Sequence, residues 1–214
     1  MNATTHDTTP KTPRPLLILD MGGVLMQHDM PTCLSRFRNI LGEENMRNLL
    51  GLETNGEGTA NTLMALFERG EISANAFIDS ILQHAKTGTT AQDVKNAWNA
   101  MHGHIPTERL QMLSRWHDAG YHLFLLSNNN ELHWADICNH YDISVFDHCF
   151  LSHLMHLSKP DVSIYTAVQE YLHQHDYQGD ICFVDDLSAN REPAETLGWQ
   201  TFSTLEELDQ YLAQ

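Results

Sequence analysis

The sequence lacks the features of disulfide-bonded, zinc-binding and membrane-spanning proteins. Its four cysteines include no Cys-x-x-Cys pair and lie beside apolar or aromatic residues, so we expect reduced thiols in the core: Cys33, Cys138, Cys149 and Cys182. No apolar run approaches the roughly 18 residues of a transmembrane helix. Residues 1–15 are polar and proline-rich, without the apolar segment of a signal peptide, and we predict a flexible tail there. Together these absences predict a cytoplasmic protein.

Basic residues are also scarce. The 214 residues include 12 Lys and Arg against 28 Asp and Glu, a net charge of −16, and Arg36 and Arg38 are the nearest approach to a basic cluster. Such a chain repels phosphate backbones and anionic lipids, so we expect no nucleic-acid or membrane partner. The 42% apolar share excludes disorder throughout, and the length suits one large domain or a domain with an insert.

Histidine is abundant, with 14 residues, but its pairs do not suggest a metal site. His102-x-His104 and His173-x-His175 lack neighbouring Cys or carboxylate ligands at suitable spacing. We therefore interpret both pairs as surface histidines.

Short apolar runs without alternation predict strands that are covered on both faces. Helical patterns lie between them, such as Thr107–Ala119, which ends at Gly120. This alternation predicts an α/β fold with a Rossmann-like parallel sheet. The predicted strands are Leu16–Leu19, Leu123–Leu126, Cys149–Leu151, Ile181–Val184 and Gln200–Phe202, and the other helices are Ser163–His173 and Ser188–Leu197.

About a hundred residues separate the first two strands, far more than a crossover needs. We therefore predict an all-helical inserted domain at 29–103 and an α/β core domain from 16–28 and 104–214. Apolar side chains at helical spacing in the insert, including Phe67, Phe77 and Trp98, are expected to form its own core. The helical patterns of the insert are Pro31–Leu41, Glu43–Leu50, Thr59–Arg69, Ser73–Ala85 and Ala91–Met101.

Polar side chains follow the predicted strands. Asp20 follows the first strand and Asp185-Asp186 follow the fourth, while Lys159 comes after the third. Since ligands bind at the carboxyl ends of parallel strands, we expect these groups to meet there. Three carboxylates and one ammonium sum to −2, so a divalent cation would neutralise the site and admit a phosphate dianion. Mg²⁺ is the hard, oxygen-preferring ion that fits.

In their order, these motifs resemble those of the haloacid dehalogenase (HAD) superfamily with a helical cap inserted after the first motif. Asp-x-Asp-x-(Thr/Val) corresponds to LLILDMGGV, and (Ser/Thr)-Asn corresponds to LFLLSNNN. The motif Lys is Lys159 in LSKPD, and Asp-Asp-x-x-x-Asn is FVDDLSAN. SNNNELHW, FERGEIS and KPDVSIY further resemble a subgroup that includes α-D-glucose 1-phosphate phosphatases.

The resemblance implies a phosphatase that acts through an aspartyl-phosphate intermediate, with Asp20 as nucleophile and Mg²⁺ as cofactor. The metal ligands would be Asp20, Asp186 and the backbone carbonyl of Gly22, with Asp185 holding the ion directly or through a water. Lys159, Ser127 and the backbone N–H of Asn128 would bind the phosphoryl oxygens, and Asn190 completes the fourth motif. The implied partner is a small phosphorylated metabolite, such as a sugar phosphate, for a monomer or homodimer.

The chain departs from the superfamily pattern at two places. The second motif Asp, the usual general acid and base, is Gly22, so a leaving group of low pKa must suffice or His28 or Asp29 must fold back over the site. The subgroup also has Gly-x-Arg before the motif Lys, where this chain has His156-Leu157-Ser158. His133 and Trp134 begin a helix above the site and are expected to reach it.

Two other functions stay open from sequence. A 2-haloacid dehalogenase uses the same nucleophile without metal, but it has no need of Asp185-Asp186 and requires arginines for halide. A non-catalytic binding protein could have kept the fold after losing its acid at Gly22. The sequence does not identify the substrate, because the loops of the cap would select it.

Overall fold

The computed structural model of the chain describes residues 13–50 and 62–214. Within them, five parallel strands form one sheet in the order β3-β2-β1-β4-β5, which confirms the predicted parallel α/β class. The predicted strands are confirmed, with β2 and β3 each one residue longer. The strands are β1 (Leu16–Leu19), β2 (Leu123–Ser127), β3 (His148–Leu151), β4 (Ile181–Val184) and β5 (Gln200–Phe202).

Alternate side chains of the strands enter two separate apolar cores, one on each face of the sheet. Leu17 and Leu19 of β1 belong to one core, and Leu16 and Ile18 belong to the other. Because both faces are covered, the central strands β1 and β4 are apolar throughout rather than alternating. The first face is covered by α6 (Thr107–Asp118), α7 (Glu131–His140) and α11 (Leu205–Leu212), and the second by α9 (Val162–Gln174) and α10 (Ser188–Thr196), while α8 (Ser152–Met155) follows β3.

In the cap segment, by which we mean residues 29–103, the named elements among the described residues are all helices. Its core contains Phe37, Phe67, Phe77 and Trp98, which are all buried, and the rings of Phe67 and Phe77 stack with centroids 4.4 Å apart. The first three residues of the predicted helix Thr59–Arg69 lie outside the described residues. The helices are α1 (Met30–Leu41), α2 (Glu43–Leu50), α3 (Leu63–Glu68), α4 (Ala74–Leu82) and α5 (Ala91–Asn99).

Side-chain caps fix where the helices around the site begin. Asp29 accepts the backbone N–H of Thr32 at the start of α1, and Asn130 accepts that of His133 at the start of α7. Each cap satisfies a backbone donor that the helix leaves without a partner. Helix α7 follows the second motif directly, so its cap also sets where that motif's loop turns.

Two sequence interpretations are wrong. Cys138 is exposed on α7 and is not a core thiol. His102 is not a surface residue, because its side chain is only 9% exposed. Short-range pattern could not place either one. The exposure of Cys138 depends on which face of α7 packs on the core, whereas His102 lies outside any helix and is covered by contacts with His28 and His133.

Candidate active site

The sheet order brings the predicted motifs together. Strands β1 and β4 are neighbours with Leu19 paired to Val184, so Asp20 and Asp185 leave the sheet side by side. The backbone N–H of Asp20 donates to the carbonyl of Val184 at 2.9 Å, which extends the ladder to the site. At the carboxyl ends of these strands the connections diverge to opposite sides of β1. Ligands usually bind at such a point in open parallel sheets.

Lys159 lies between two of the carboxylates. Its Nζ is 2.9 Å from Asp20 Oδ1 and 2.6 Å from Asp185 Oδ2, and all three residues are buried. The backbone N–H of Met21 donates to the same Asp20 oxygen at 2.7 Å. Two donors therefore fix the orientation of the Asp20 carboxylate.

The electrostatics follow from burying more negative than positive charge. Burial raises the pKa of Asp20 to about 6, with Lys159 opposing the shift and Asp185 adding to it. Burial also acts to lower the pKa of Lys159, but the attraction of both carboxylates outweighs it and leaves that pKa raised. The ammonium stays charged, and the site has room for further positive charge.

The three acidic side chains form a group with ligand geometry. Asp20, Asp185 and Asp186 offer oxygens that all lie within 4.8 Å of one another. Gly23, at φ +75°, permits this, because a Cβ there would lie 2.4 Å from Asp186 Oδ2. The loop after β1 and the Asp186 carboxylate can therefore approach more closely than a side chain would allow.

Asp185 differs from Asp186 in its surroundings. Asp185 is fully buried, and its two oxygens accept hydrogen bonds from Lys159 Nζ, from Asn190 Nδ2 at 3.0 Å to each oxygen, and from the backbone N–H of Leu187 at 3.0 Å. Asp186 is exposed toward the cavity. The oxygens of Asp185 are thus occupied by hydrogen bonds from Lys159, Asn190 and the backbone, while the carboxylate of Asp186 is accessible to a ligand in the cavity.

The second and third motifs are joined through an amide. Asn128 Nδ2 donates to the carbonyl of Lys159, and the backbone N–H of Lys159 donates to Asn128 Oδ1, both at 2.9 Å. This reciprocal pair sets the loop that carries the ammonium. Ser127 is buried at the end of β2 and also lines the cavity.

The two residues suggested as replacements for the missing acid have different positions. A Cβ on Gly22 would lie 2.0 Å from His28 Nε2, so the imidazole occupies the space where a side chain at position 22 would begin. Asp29 instead directs its carboxylate to Thr32, whose hydroxyl donates to it at 2.7 Å. His28 lines the cavity and Asp29 does not.

These residues surround a cavity of about 310 Å³ between the sheet edge and the cap segment. Its wall contains every residue predicted for the site except Asp29, Trp134 and Asp185. A larger cleft of about 530 Å³ lies between α6 and α7 and contains none of them. The predicted residues on the cavity wall are Asp20, Gly22, His28, Ser127, Asn128, Lys159, Asp186 and Asn190.

Sequence reasoning missed part of the wall. The sequence pattern indicates a surface position for His102, and the FERGEIS resemblance implies no role for Glu68, yet both residues line the cavity. His133 lines the cavity as predicted, and its ring stacks on Trp98 with centroids 4.8 Å apart. The apolar part of the wall was also unforeseen: Met21, Met26, Met30, Met64 and Met101.

No family model matches the chain. The chain is similar to a HAD family enzyme of Bacteroides thetaiotaomicron, at 27% identity and a TM-score of 0.75, over 90% of this chain and 94% of that one. The wild-type form of that enzyme is also known in complex with magnesium and inorganic phosphate, at 26% identity and a TM-score of 0.74 over 89% and 93% of the two chains.

More distant similarities concern the fold alone. A predicted HAD-like hydrolase of Porphyromonas gingivalis is 22% identical with a TM-score of 0.77, over 94% of this chain and 98% of that one. An L-2-haloacid dehalogenase is 16% identical with a TM-score of 0.59, over 95% and 100%. With the geometry above, the similarity to the Bacteroides enzyme confirms the predicted resemblance to the HAD superfamily.

Proposed function

We propose that this HAD-like hydrolase is a Mg²⁺-dependent phosphatase that cleaves a small phosphomonoester through an aspartyl-phosphate. The observation that carries the proposal is the buried Lys159 ammonium held between Asp20 and Asp185, beside the exposed carboxylate of Asp186. The Bacteroides enzyme, which binds magnesium and inorganic phosphate, supports it. A sugar phosphate is the substrate class that the subgroup resemblance favours.

The oxygen donors suit Mg²⁺, because three carboxylates converge at the site and the one ammonium beside them offsets only part of their negative charge. Asp20, Asp186 and the Gly22 carbonyl would hold the ion, and Asp185, whose oxygens are already hydrogen-bonded, would act by positioning Lys159. Bound there, Mg²⁺ supplies positive charge that neutralises the transferring phosphoryl group.

Asp20 is placed to attack phosphorus, because its carboxylate is oriented by Lys159 and the backbone of Met21. The P–O bond to the alcohol breaks as the Asp20–phosphorus bond forms, and water later cleaves the acyl phosphate. Lys159, Ser127 and the backbone N–H of Asn128 stabilise the charge on the phosphoryl oxygens. No other cationic side chain lines the cavity in residues 13–50 and 62–214, so we expect modest phosphate affinity.

His28 is the group we assign to proton transfer. Its Nε2 occupies the place of the absent motif side chain at Gly22. Burial lowers the pKa of His28, with Asp186 opposing the shift, so the imidazole is mostly neutral at pH 7. A neutral imidazole can accept the proton of the attacking water and return it to the next leaving alcohol.

The alternatives receive less support from the site. A dehalogenase needs cationic side chains for halide, and among the described residues no arginine lines this cavity. A binding protein would have no need for a neutral imidazole placed against Gly22. The cavity is at the low end of the range for ligand pockets, about 300–1,000 Å³, which favours a small leaving group.

The test is hydrolysis of p-nitrophenyl phosphate and a phosphometabolite panel, with Mg²⁺ and then with EDTA. We expect Mg²⁺-dependent turnover that Asp20→Asn abolishes, while the exposed control Asp118→Asn retains it. Halide release from 2-chloropropionate in EDTA would instead establish the dehalogenase. Ligand binding without turnover in wild type and Asp20→Asn alike would establish the binding protein.

A further inference from the structure

The wall contributed by the cap segment is mostly apolar. Met30, Met64 and Met101 supply flexible thioether side chains, which adapt to ligands of different shape. Among the described residues of the cap segment, Glu68 is the only carboxylate on this wall. A leaving group bound to the phosphoryl site therefore faces methionines, the imidazole of His102 and one carboxyl group on this wall.

Glu68 is held firmly at its position. Its backbone carbonyl accepts a hydrogen bond from Ser152 Oγ at 2.5 Å, and that hydroxyl in turn accepts the backbone N–H of Asn129 at 2.9 Å. Ser152 is fully buried. The end of α3 is thus tied to the loop after β2, beside the phosphate-binding residues.

The adjacent cation does not neutralise Glu68. Arg69 Nε lies 2.5 Å from Glu71 Oε1, so the guanidinium is paired with a different carboxylate. Among the described residues, no salt bridge or side-chain hydrogen bond involves the Glu68 carboxyl group. Burial raises the pKa of Glu68 to about 7, with Arg69 opposing the shift.

We propose that Glu68 determines substrate specificity, by binding a hydroxyl or amino group of the leaving group whose carbon chain packs on the methionines. The inference rests on the proposed phosphatase function and names the substrate class: small phosphorylated alcohols that carry one further hydrogen-bond donor. The Glu68 carboxyl is half-buried in the free protein, and a purely apolar leaving group would cover it without giving it a hydrogen bond, a mismatch that disfavours such substrates.

The experiment compares kcat/KM for three matched series with Mg²⁺: alkyl, ω-hydroxyalkyl and ω-aminoalkyl phosphates of two to four carbons. We expect wild type to prefer a donor-bearing member over the alkyl phosphate of equal length by about tenfold or more, the value of one buried hydrogen bond. The hydroxyl and amino series identify which donor Glu68 takes. Comparing each ratio between variants cancels the intrinsic reactivity of the leaving groups.

Two variants of Glu68 show whether its hydrogen-bond acceptor or its negative charge causes the donor preference. Glu68→Ala should bring the donor preference close to one. Glu68→Gln should keep part of a preference for hydroxyl, because the amide oxygen still accepts, and lose a preference for amine, which needs the negative charge. Glu44→Gln changes an exposed carboxylate of the cap segment that does not line the cavity; it is the matched control and should leave every ratio at the wild-type value.

The outcomes test the specificity role of Glu68 separately from the proposed phosphatase function. If wild type hydrolyses p-nitrophenyl phosphate but Glu68→Ala keeps the wild-type donor preference, the specificity role is overturned and the phosphatase stands. Equal rates on all three series in wild type overturn the specificity role as well. If wild type cleaves none of these phosphates, including p-nitrophenyl phosphate, both the function and this inference are overturned.

Discussion

His28 gives the sharpest prediction, because its imidazole fills the position of a side chain that the motif has lost. The Cβ of Gly22→Ala would lie 2.0 Å from His28 Nε2. An ordinary contact is about 3.5 Å, so the ring must retreat by roughly 1.5 Å. Overpacking of this kind costs about 1–3 kcal/mol, and here it also moves the proton-transfer group.

Removing the imidazole should affect substrates unequally. General acid–base catalysis contributes roughly 10²–10⁴-fold, so His28→Ala should lower kcat for alkyl phosphates by about that factor. The loss should be much smaller for p-nitrophenyl phosphate, whose leaving group departs as a stable anion. His104→Ala changes an exposed histidine near the same cap boundary and is the control.

The double variant Gly22→Asp/His28→Ala tests the replacement directly. Its aspartate would enter the space that the imidazole vacates, and part of the lost activity on alkyl phosphates should return. Gly22→Asp alone should not gain activity, because the new side chain and His28 compete for one volume. Steady-state kinetics at saturating Mg²⁺ separate these effects from weakened metal binding. Equal kcat for wild type and His28→Ala on alkyl phosphates would refute the assignment.

Three further predictions concern stability. Lys159→Met leaves Asp20 and Asp185 buried without their cation, so thermal unfolding should show a loss of about 3–5 kcal/mol; an unchanged Tm would contradict the burial argument. Because the pKa of Asp20 is raised from 3.8 to about 6, the metal-free native state binds this proton more tightly than the unfolded chain does, and stability from this group is lost as pH rises from 4 to 6. The free energy of unfolding, measured by urea denaturation in EDTA, should therefore fall by up to ~3 kcal/mol more for wild type than for Asp20→Asn between pH 4 and pH 6. If the difference in unfolding free energy between the two proteins does not change with pH, the pKa of Asp20 is not raised. Trp98→Phe removes the indole N–H that donates to Asn130 Oδ1 at 3.0 Å, which should cost about 1–3 kcal/mol by the same assay; a cost near zero would mean that the bond is replaced.

Among the described residues, no helix combines the length and the apolar character that crossing a bilayer requires. The cytoplasmic location, the monomer or homodimer and the small-metabolite partner stay predictions from the sequence.

The sequence by itself determined the sheet and the polar residues at its edge. Runs such as Leu16–Leu19 are apolar at every position because both faces of the sheet are covered, and that pattern is local. Asp20, Lys159 and Asp186 could be found because each follows its strand in a recognisable order. The helices of the cap segment were likewise predictable from apolar spacing, within a residue or a turn at each end.

Only the tertiary structure decided how these residues divide the work. Asp185 and Asp186 are neighbours in sequence, yet one is sealed by Lys159 and Asn190 and the other faces the cavity. The position of Glu68 likewise depends on chain segments that meet only when the cap segment packs on the core, and the approach of His28 to Gly22 depends on how the loop between β1 and α1 folds. The pattern of apolar residues in one helix or strand shows which of its side chains are buried. Which side chains of different segments contact one another depends on distances that no single segment determines.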